Sequence, residues 1–349
     1  MTEARRINTW PQLAAFVFVA VAGLLYVKWL PYYDRAFVAA AQHSIGKSIL
    51  MGEAAQAPAP SLDAALAYAL AYGKAIWKAM VLGLLLGSGV QALLPAGWVA
   101  RRLGADRFGS ALAGGMLALP AMMCTCCAAP VVVGLRQRQA SAGAAIAFWL
   151  GNSVLNPATL VFIGFVLGWR WAALRLILGV PMVLGLGYLA NRMTSPREAA
   201  QAEASVAAFS AEPRGSPFQR WLAILGRMSL RLIPEYLILV LLLGAARAWL
   251  FPAIGPEIDN HFIWIVAFAV AGTLFVIPTA GEAPIIQAML SLGMGVGPAG
   301  ALLMTLPPIS LPSMAMLARS FPPRILAVVA AAVVLFGVLA GGLAVVLGF

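Results

Sequence analysis

Between residues 122 and 159 the chain reads MMCTCCAAPVVVGLRQRQASAGAAIAFWLGNSVLNPAT. All three cysteines of the chain, Cys124, Cys126 and Cys127, lie within four residues of this apolar stretch. A short basic loop follows, and the polar run from Asn152 to Pro157 then interrupts the next apolar segment. Irregular backbone at membrane depth is tolerated only where protein or a water-filled cavity surrounds it. The stretch therefore predicts two breaks in membrane helices that together form half of a substrate pathway.

The composition excludes a soluble globular protein. Hydrophobic residues make up 62% of the 349 residues and charged residues only 10%, whereas soluble domains carry about 25% charged residues. Several apolar runs reach the roughly 20 residues that cross a bilayer core, which predicts an all-α polytopic membrane protein. Lys and Arg in the cytoplasmic loops of an inner-membrane protein account for the net charge of +11. No basic patch interleaves with aromatic residues, so no nucleic-acid partner is expected.

Polar segments divide the chain into four parts. Residues 1–60 are predicted to hold one N-terminal transmembrane helix, Leu13–Leu30, and a less hydrophobic connection that begins at Pro31. Residues 61–193 form a first transmembrane repeat, 194–219 a polar cytoplasmic linker, and 220–349 a second transmembrane repeat. The first apolar run is long enough to be a spanning anchor rather than a cleaved signal.

The second repeat matches the first in one register. Ile277–Pro284 (IPTAGEAP) aligns with Met123–Pro130 (MCTCCAAP), which places Thr125 on Thr279 and Pro130 on Pro284. The break before Pro157 has a counterpart before Pro312. Duplicated blocks with matched breaks indicate a transporter site at the interface of the repeats.

The charge distribution predicts that the two repeats have opposite orientations. Arg136 and Arg138 of the first repeat correspond to leucines in the second. Because cytoplasmic loops are enriched in Lys and Arg, the first loop is expected inside and its counterpart outside. The predicted architecture is two inverted repeats with broken or re-entrant helices, plus one extra N-terminal transmembrane helix. Arg170 and Arg175 do not fit, since this topology places them outside.

Three thiols on a non-helical turn predict a soft-ligand site. Thiolates select copper(I), zinc or trivalent arsenic-type centres, so Cys124, Cys126 and Cys127 are candidate metal and substrate ligands. Three sulfurs suit a pyramidal metalloid or a trigonal metal better than tetrahedral zinc. Two other interpretations remain open. Buried cysteine is an ordinary small hydrophobe, and the CxxC spacing of Cys124 and Cys127 is also that of a redox pair.

Glu282 lies in the equivalent turn of the second repeat. A carboxylate inside the membrane is costly and marks a functional site, so Glu282 is expected to bind substrate and to carry a coupling proton. The alternative is a cap for the helix Ala283–Leu290, stabilised by the helix dipole. Neutral hydrogen-bonding side chains at the breaks complete the predicted substrate-binding set. They are Thr125, Asn152, Asn156, Thr279 and Ser310.

Three sequence runs carry a family resemblance. Met123–Pro130, the run FWLGNSVLNP at Phe148–Pro157 and the GEAP run at Gly281–Pro284 resemble the predicted-permease family that includes organoarsenical efflux permeases. The similarity extends from Ala64 to the C-terminus and leaves the first span outside. The resemblance implies a multi-pass permease of the bacterial inner membrane, without an ATPase of its own, and makes the three cysteines candidate contacts for a soft ligand.

The chain is therefore predicted to be a secondary permease rather than an enzyme. The expected substrate is a small, soft, thiol-reactive species such as a trivalent organoarsenical or a soft metal, moved by efflux. The alternatives are a permease for a small sulfur compound, a membrane thiol oxidoreductase that uses Cys124 and Cys127, and a scaffold or sensor without transport activity. The expected partners are this substrate and the lipid bilayer; no cofactor is expected, and a homo-oligomer is left open.

Overall fold

The fold is all-helical, as predicted. A computed structural model describes residues 10–51, 57–94, 96–104, 108–194, 216–252 and 254–349. Within these residues there are fifteen α-helices, one π-helical turn and no strand. Six of the described helical segments are long and apolar enough to cross a membrane. The predicted polytopic membrane protein is thereby confirmed.

The first span is longer than predicted. Helix α1 (Trp10–Leu24), a π-helical turn (Leu25–Trp29) and α2 (Leu30–Gln42) follow one another without a gap. The expected end at Leu30 is wrong because Pro31 lies in the first turn of α2. A proline has no N–H to donate, and at the start of a helix none is needed. The π-turn, closed by a hydrogen bond from Leu30 N–H to the Leu25 carbonyl, carries the chain past this point.

Seven helices form the region predicted as the first repeat. They are α3 (Leu62–Leu93), α4 (Ala96–Leu103), α5 (Phe108–Ala121), α6 (Thr125–Gln137), α7 (Ala142–Val154), α8 (Pro157–Val166) and α9 (Trp169–Met193). Helix α3 begins where the Ser61 hydroxyl accepts a hydrogen bond from Ala64 N–H at 3.0 Å, an N-cap. Helices α5 and α6 have 14 and 13 residues, so neither reaches the roughly 20 residues of a complete span.

Six helices form the region predicted as the second repeat. They are α10 (Pro217–Leu250), α11 (Phe262–Leu274), α12 (Glu282–Ser291), α13 (Val296–Thr305), α14 (Leu311–Leu317) and α15 (Pro323–Val346). Their order matches α3 and α5–α9. The packing also corresponds, since α5 packs on α7 and α9 whereas α11 packs on α13 and α15. The inverted orientation and the domain boundaries stay predictions, and most of the linker lies outside the described residues.

Helix α6 lies at the centre of the bundle. It packs against α3 and α7 of its own half and against α14 of the other. The close approach to α3 depends on glycine, because a Cβ at Gly83 would collide with the Cys127 carbonyl and one at Gly87 with Pro130. Helix α3 also packs along α10. The helix that begins at the cysteines is therefore enclosed by both halves of the chain.

Candidate substrate site

The turn between α5 and α6 is held by α7. Helix α5 ends at Ala121, and Met122 after it has a left-handed φ of +49°. Met123 N–H donates to Asn152 Oδ1 at 3.2 Å, and Trp149 Nε1 donates to the Thr125 carbonyl at 3.2 Å. Two predicted substrate-binding residues, Asn152 and Thr125, therefore take part in shaping the turn. Their role in substrate binding stays a prediction.

The structure brings two of the three thiols together. Cys124 and Cys127 have their Sγ atoms 2.9 Å apart, longer than the bond of about 2.05 Å in a disulfide, and all three cysteines are buried and free. Cys126 Sγ instead lies 3.7 Å from Ser310 Oγ, in the other half. Residues i and i+3 are neighbours on a helix whereas i and i+2 are not. Among the described residues, no three His, Cys, Asp or Glu side chains converge as metal ligands.

The second turn, residues 275–281 between α11 and α12, is held by α3 and by the first span. Tyr68 OH donates to the Val276 carbonyl, and Tyr72 OH donates to the Ile277 carbonyl at 3.5 Å. These contacts satisfy backbone groups that no helix satisfies, as membrane burial requires. Thr279 Oγ1 accepts a hydrogen bond from Lys28 Nζ at 3.3 Å.

Glu282 forms a buried ion pair with Arg175 of α9. Glu282 is 1% exposed and Arg175 0%, and Arg175 Nη1 donates to Glu282 Oε1. The guanidinium also donates from Nε to the Val154 carbonyl at 2.9 Å and from Nη2 to the Ser153 carbonyl. Arg175 is therefore a buried, ion-paired residue of α9 rather than a free charge at a helix end. A buried ion-paired arginine carries no information on loop charge, so the side of the membrane predicted for it stays a prediction.

The break between α7 and α8 explains why Arg175 is needed there. In a continuous helix, the N–H groups of residues 157 and 158 would bond the carbonyls of Ser153 and Val154. Pro157 has no N–H, and Ala158 N–H donates instead to Asn156 Oδ1 at 3.1 Å. The guanidinium replaces both missing donors. Arg175 thus connects the break in the first half to the turn in the second.

The two turns meet beside a cavity. Cys124, Ser153, Thr279 and Glu282 line one small space. Cys124 and Thr279 also line a larger neighbouring cavity of about 450 Å³. The structure therefore brings together three of the predicted site residues, Cys124, Thr279 and Glu282, from both halves.

Comparison with known proteins identifies the family. Residues 61–346 match a family described as a predicted permease. The chain belongs to this predicted permease family. It is also 53% identical over 335 residues to the UPF0718 protein YraQ of Escherichia coli (strain K12), a match that covers 96% of this chain and 95% of that protein. No solved structure shows a significant match. The protein is therefore a multi-pass membrane permease.

The first span of the permease lies before the family match, yet it contributes to the site. Lys28 is 4% exposed and lines the larger cavity together with Tyr32 and Arg35. Trp29 Nε1 donates to the Pro120 carbonyl of α5 at 2.7 Å, which attaches the span to the helix before the cysteines. Sequence reasoning treated this span as an addition to the transport unit. A lysine inside the apolar run Leu13–Leu30 was the signal that could have found it.

The two remaining predicted residues of the permease cap helices. Asn156 Oδ1 accepts from Ala158 N–H and, at 3.3 Å, from Thr159 N–H at the start of α8. Ser310 caps α14 in a reciprocal arrangement with Ser313. Asn156 Nδ2 and Thr159 Oγ1 are buried side-chain atoms that have no hydrogen-bond partner in the part of the chain that the structure describes. Substrate contact by Asn156 and Ser310 stays a prediction.

Proposed function

We propose that this permease exports a small thiol-reactive species, and that a trivalent arsenical carrying one organic group fits the site best. The observation that carries the proposal is the pair of thiols, Cys124 and Cys127, 2.9 Å apart, with Cys124 in the wall of a cavity of about 450 Å³. Efflux is the direction that the resemblance to organoarsenical exporters implies.

The number of available thiols favours an arsenical over a metal ion. Zinc in a structural site takes four ligands, and no third His, Cys, Asp or Glu joins the pair among the described residues. Copper(I) with two thiolates prefers a linear arrangement, which places the sulfurs on opposite sides of the metal. Cys124 and Cys127 are on one side, in one helical turn. A trivalent arsenical with one organic group has two exchangeable positions and accepts two neighbouring sulfurs.

Binding is an exchange without oxidation. Two As–S bonds form and two As–O bonds of the hydrated arsenical break, while the two thiol protons leave on the hydroxyl groups as water. Glu282 and Cys124 line the same small space, which supports Glu282 as the group that exchanges protons during release. A rocking movement of one repeat against the other would then expose the site to the opposite side.

A membrane thiol oxidoreductase is the second candidate, because the same 2.9 Å contact suits reversible formation of a disulfide. That reaction requires a partner thiol protein, since the chain contains three cysteines and hence no second pair. The oxidoreductase predicts electron exchange with the partner and no movement of arsenical across the membrane.

The test is binding and transport of a trivalent phenylarsenical. Purified protein and everted membrane vesicles would be compared for the wild type and for single changes of Cys124, Cys127 and Cys126 to Ser. We expect Cys124→Ser and Cys127→Ser to abolish tight binding and vesicle accumulation, whereas Cys126→Ser, the matched control, retains both. Equal binding by all four proteins, or a loss confined to Cys126→Ser, would overturn the proposal. Binding without accumulation would favour the oxidoreductase.

A further inference from the structure

The larger cavity has a basic wall. Lys28, Tyr32 and Arg35 line it from the first span, at positions i, i+4 and i+7 on one helix face. Lys47, from the segment after α2, lines it as well. None of the described residues that line the cavity is an aspartate or a glutamate. Three cationic side chains therefore surround a space whose wall includes Cys124.

Among the described residues, the hydrogen-bond partners of Lys28 are neutral. Its ammonium donates to Tyr32 OH at 3.1 Å and to Thr279 Oγ1 at 3.3 Å, which leaves a third donor. The side chain is 4% exposed. A buried charge without an opposite charge is costly, and ionisable residues at membrane depth usually serve a substrate. An anion in the cavity beside the ammonium would supply an opposite charge.

We propose that this cavity is an anion-binding site, and that the cargo of the permease carries a negatively charged group, a carboxylate or an oxyanion, beside its thiol-reactive atom. Arg35, whose planar guanidinium matches such groups in a bidentate manner, is exposed and binds the anion together with Lys28. Lys28, which is buried, holds it next to Cys124. The pairing with a thiol-reactive atom rests on the proposed function, whereas the anion site depends on the basic residues alone.

The test uses two probes that differ by one charge, a neutral trivalent phenylarsenical and its para-carboxylate. The measured quantity is the ratio of their affinities. A charge-assisted hydrogen bond contributes about 1.5–3 kcal/mol, so the wild type is expected to prefer the carboxylate by about tenfold or more. The ratio should fall to about one in Lys28→Gln and in Arg35→Gln. It should persist in Lys74→Gln, because Lys74 is an exposed lysine of α3 outside the cavity wall.

Two results would overturn the anion site. One is a ratio near one in the wild type. The other is an equal loss of affinity for both probes in Lys28→Gln with no change of ratio in Arg35→Gln, which would mean that Lys28 acts on the Cys124 thiol alone. Because Arg35 is exposed and Lys28 is buried, Arg35→Gln keeps the test decisive even where Lys28→Gln fails to fold.

A separate anion distinguishes failure of this inference from failure of the proposed function. If neither arsenical binds, the proposed substrate is wrong, and thiosulfate then tests the cavity by itself. Saturable thiosulfate binding to the wild type that is lost in Arg35→Gln would support the anion site and point to an anionic sulfur compound as cargo. Absence of thiosulfate binding in that case would overturn the anion site too.

Discussion

The ion pair between Arg175 and Glu282 can be tested by changing Glu282 to Gln. The substitution keeps the shape of the side chain but removes its charge. Arg175 is 0% exposed, and after the change it would retain only neutral acceptors, the carbonyls of Ser153 and Val154 and the new amide oxygen. A buried guanidinium would then have no compensating charge.

The expected magnitude follows from the burial. Removing one partner of a buried ion pair costs about 3–5 kcal/mol in soluble proteins. Polar groups in an unfolded membrane protein also find partners, which reduces the difference, so we expect a loss of about 3 kcal/mol. The chain offers a matched control in the pair of Arg319 and Glu235, 2.9 Å apart with side chains 61% and 38% exposed. Exposed pairs contribute about 0–1 kcal/mol, so Glu235→Gln should have little effect.

The measurement is reversible unfolding in mixed detergent micelles, with the free energy of unfolding compared for the wild type, Glu282→Gln and Glu235→Gln. A double-mutant cycle with Arg175→Met isolates the pair. We expect the double variant to be more stable than the sum of the single losses, because it leaves no unpaired charge. A loss for Glu282→Gln no larger than for Glu235→Gln, or strict additivity in the cycle, would refute the assigned role of the pair.

Two further variants test how the turns are held. Gly83→Ala should destabilise the protein by about 1–3 kcal/mol and weaken phenylarsenical binding, because its Cβ would collide with the Cys127 carbonyl. Gly73→Ala in the same helix meets no atom within 4 Å and should be neutral or stabilising by up to about 1 kcal/mol; equal effects on unfolding would contradict the packing argument. Asn152→Leu leaves Met123 N–H without its acceptor and should lower the free energy of unfolding by about 1–3 kcal/mol, whereas an unchanged value would mean that the turn is held in another way.

The breaks could be predicted because local sequence determines them. Pro157 cannot donate a backbone hydrogen bond, and Asn156 before it is a preferred N-cap. The structure ends α7 and begins α8 at this point. Ser61, another preferred N-cap residue, likewise lies at the start of α3. The composition and the length of the apolar runs were sufficient to predict a membrane protein, since an apolar run of about 20 residues is typical of a transmembrane helix.

The contacts that complete the site could not be predicted in the same way. Arg175 and Glu282 are separated by 107 positions in the chain, and Lys28 and Thr279 by 251. No local pattern determines such pairings, since they depend on how long helices cross. The separation of Cys126 from the other thiols is different. The sequence analysis placed the three thiols on a non-helical turn, whereas a helix begins at Thr125. With that helix known, its spacing alone places residue i+2 on another face.

The repeats align in sequence, but the aligned residues of their turns make different contacts. Thr125 and Thr279 are equivalent by alignment, yet the Thr125 carbonyl bonds Trp149 whereas the Thr279 hydroxyl bonds Lys28 and faces the cavity. The first turn contributes thiols and the second a carboxylate. Aligned parts of the two halves therefore bring two unlike groups, a thiol and a carboxylate, to one small space.

The ion pair joins the two halves of the chain beside Cys124. Arg175 belongs to α9 of the first half, and Glu282 begins α12 of the second. If one half rocks against the other, as we propose for transport, the distance between α9 and α12 changes unless the two helices move together. A longer distance between these helices would break the ion pair. The Glu282 carboxylate beside Cys124 would then be free, and the Arg175 guanidinium would keep only its bonds to the break between α7 and α8. Substrate release at the thiols and opening of the ion pair would then be one event, because the same small space contains both groups.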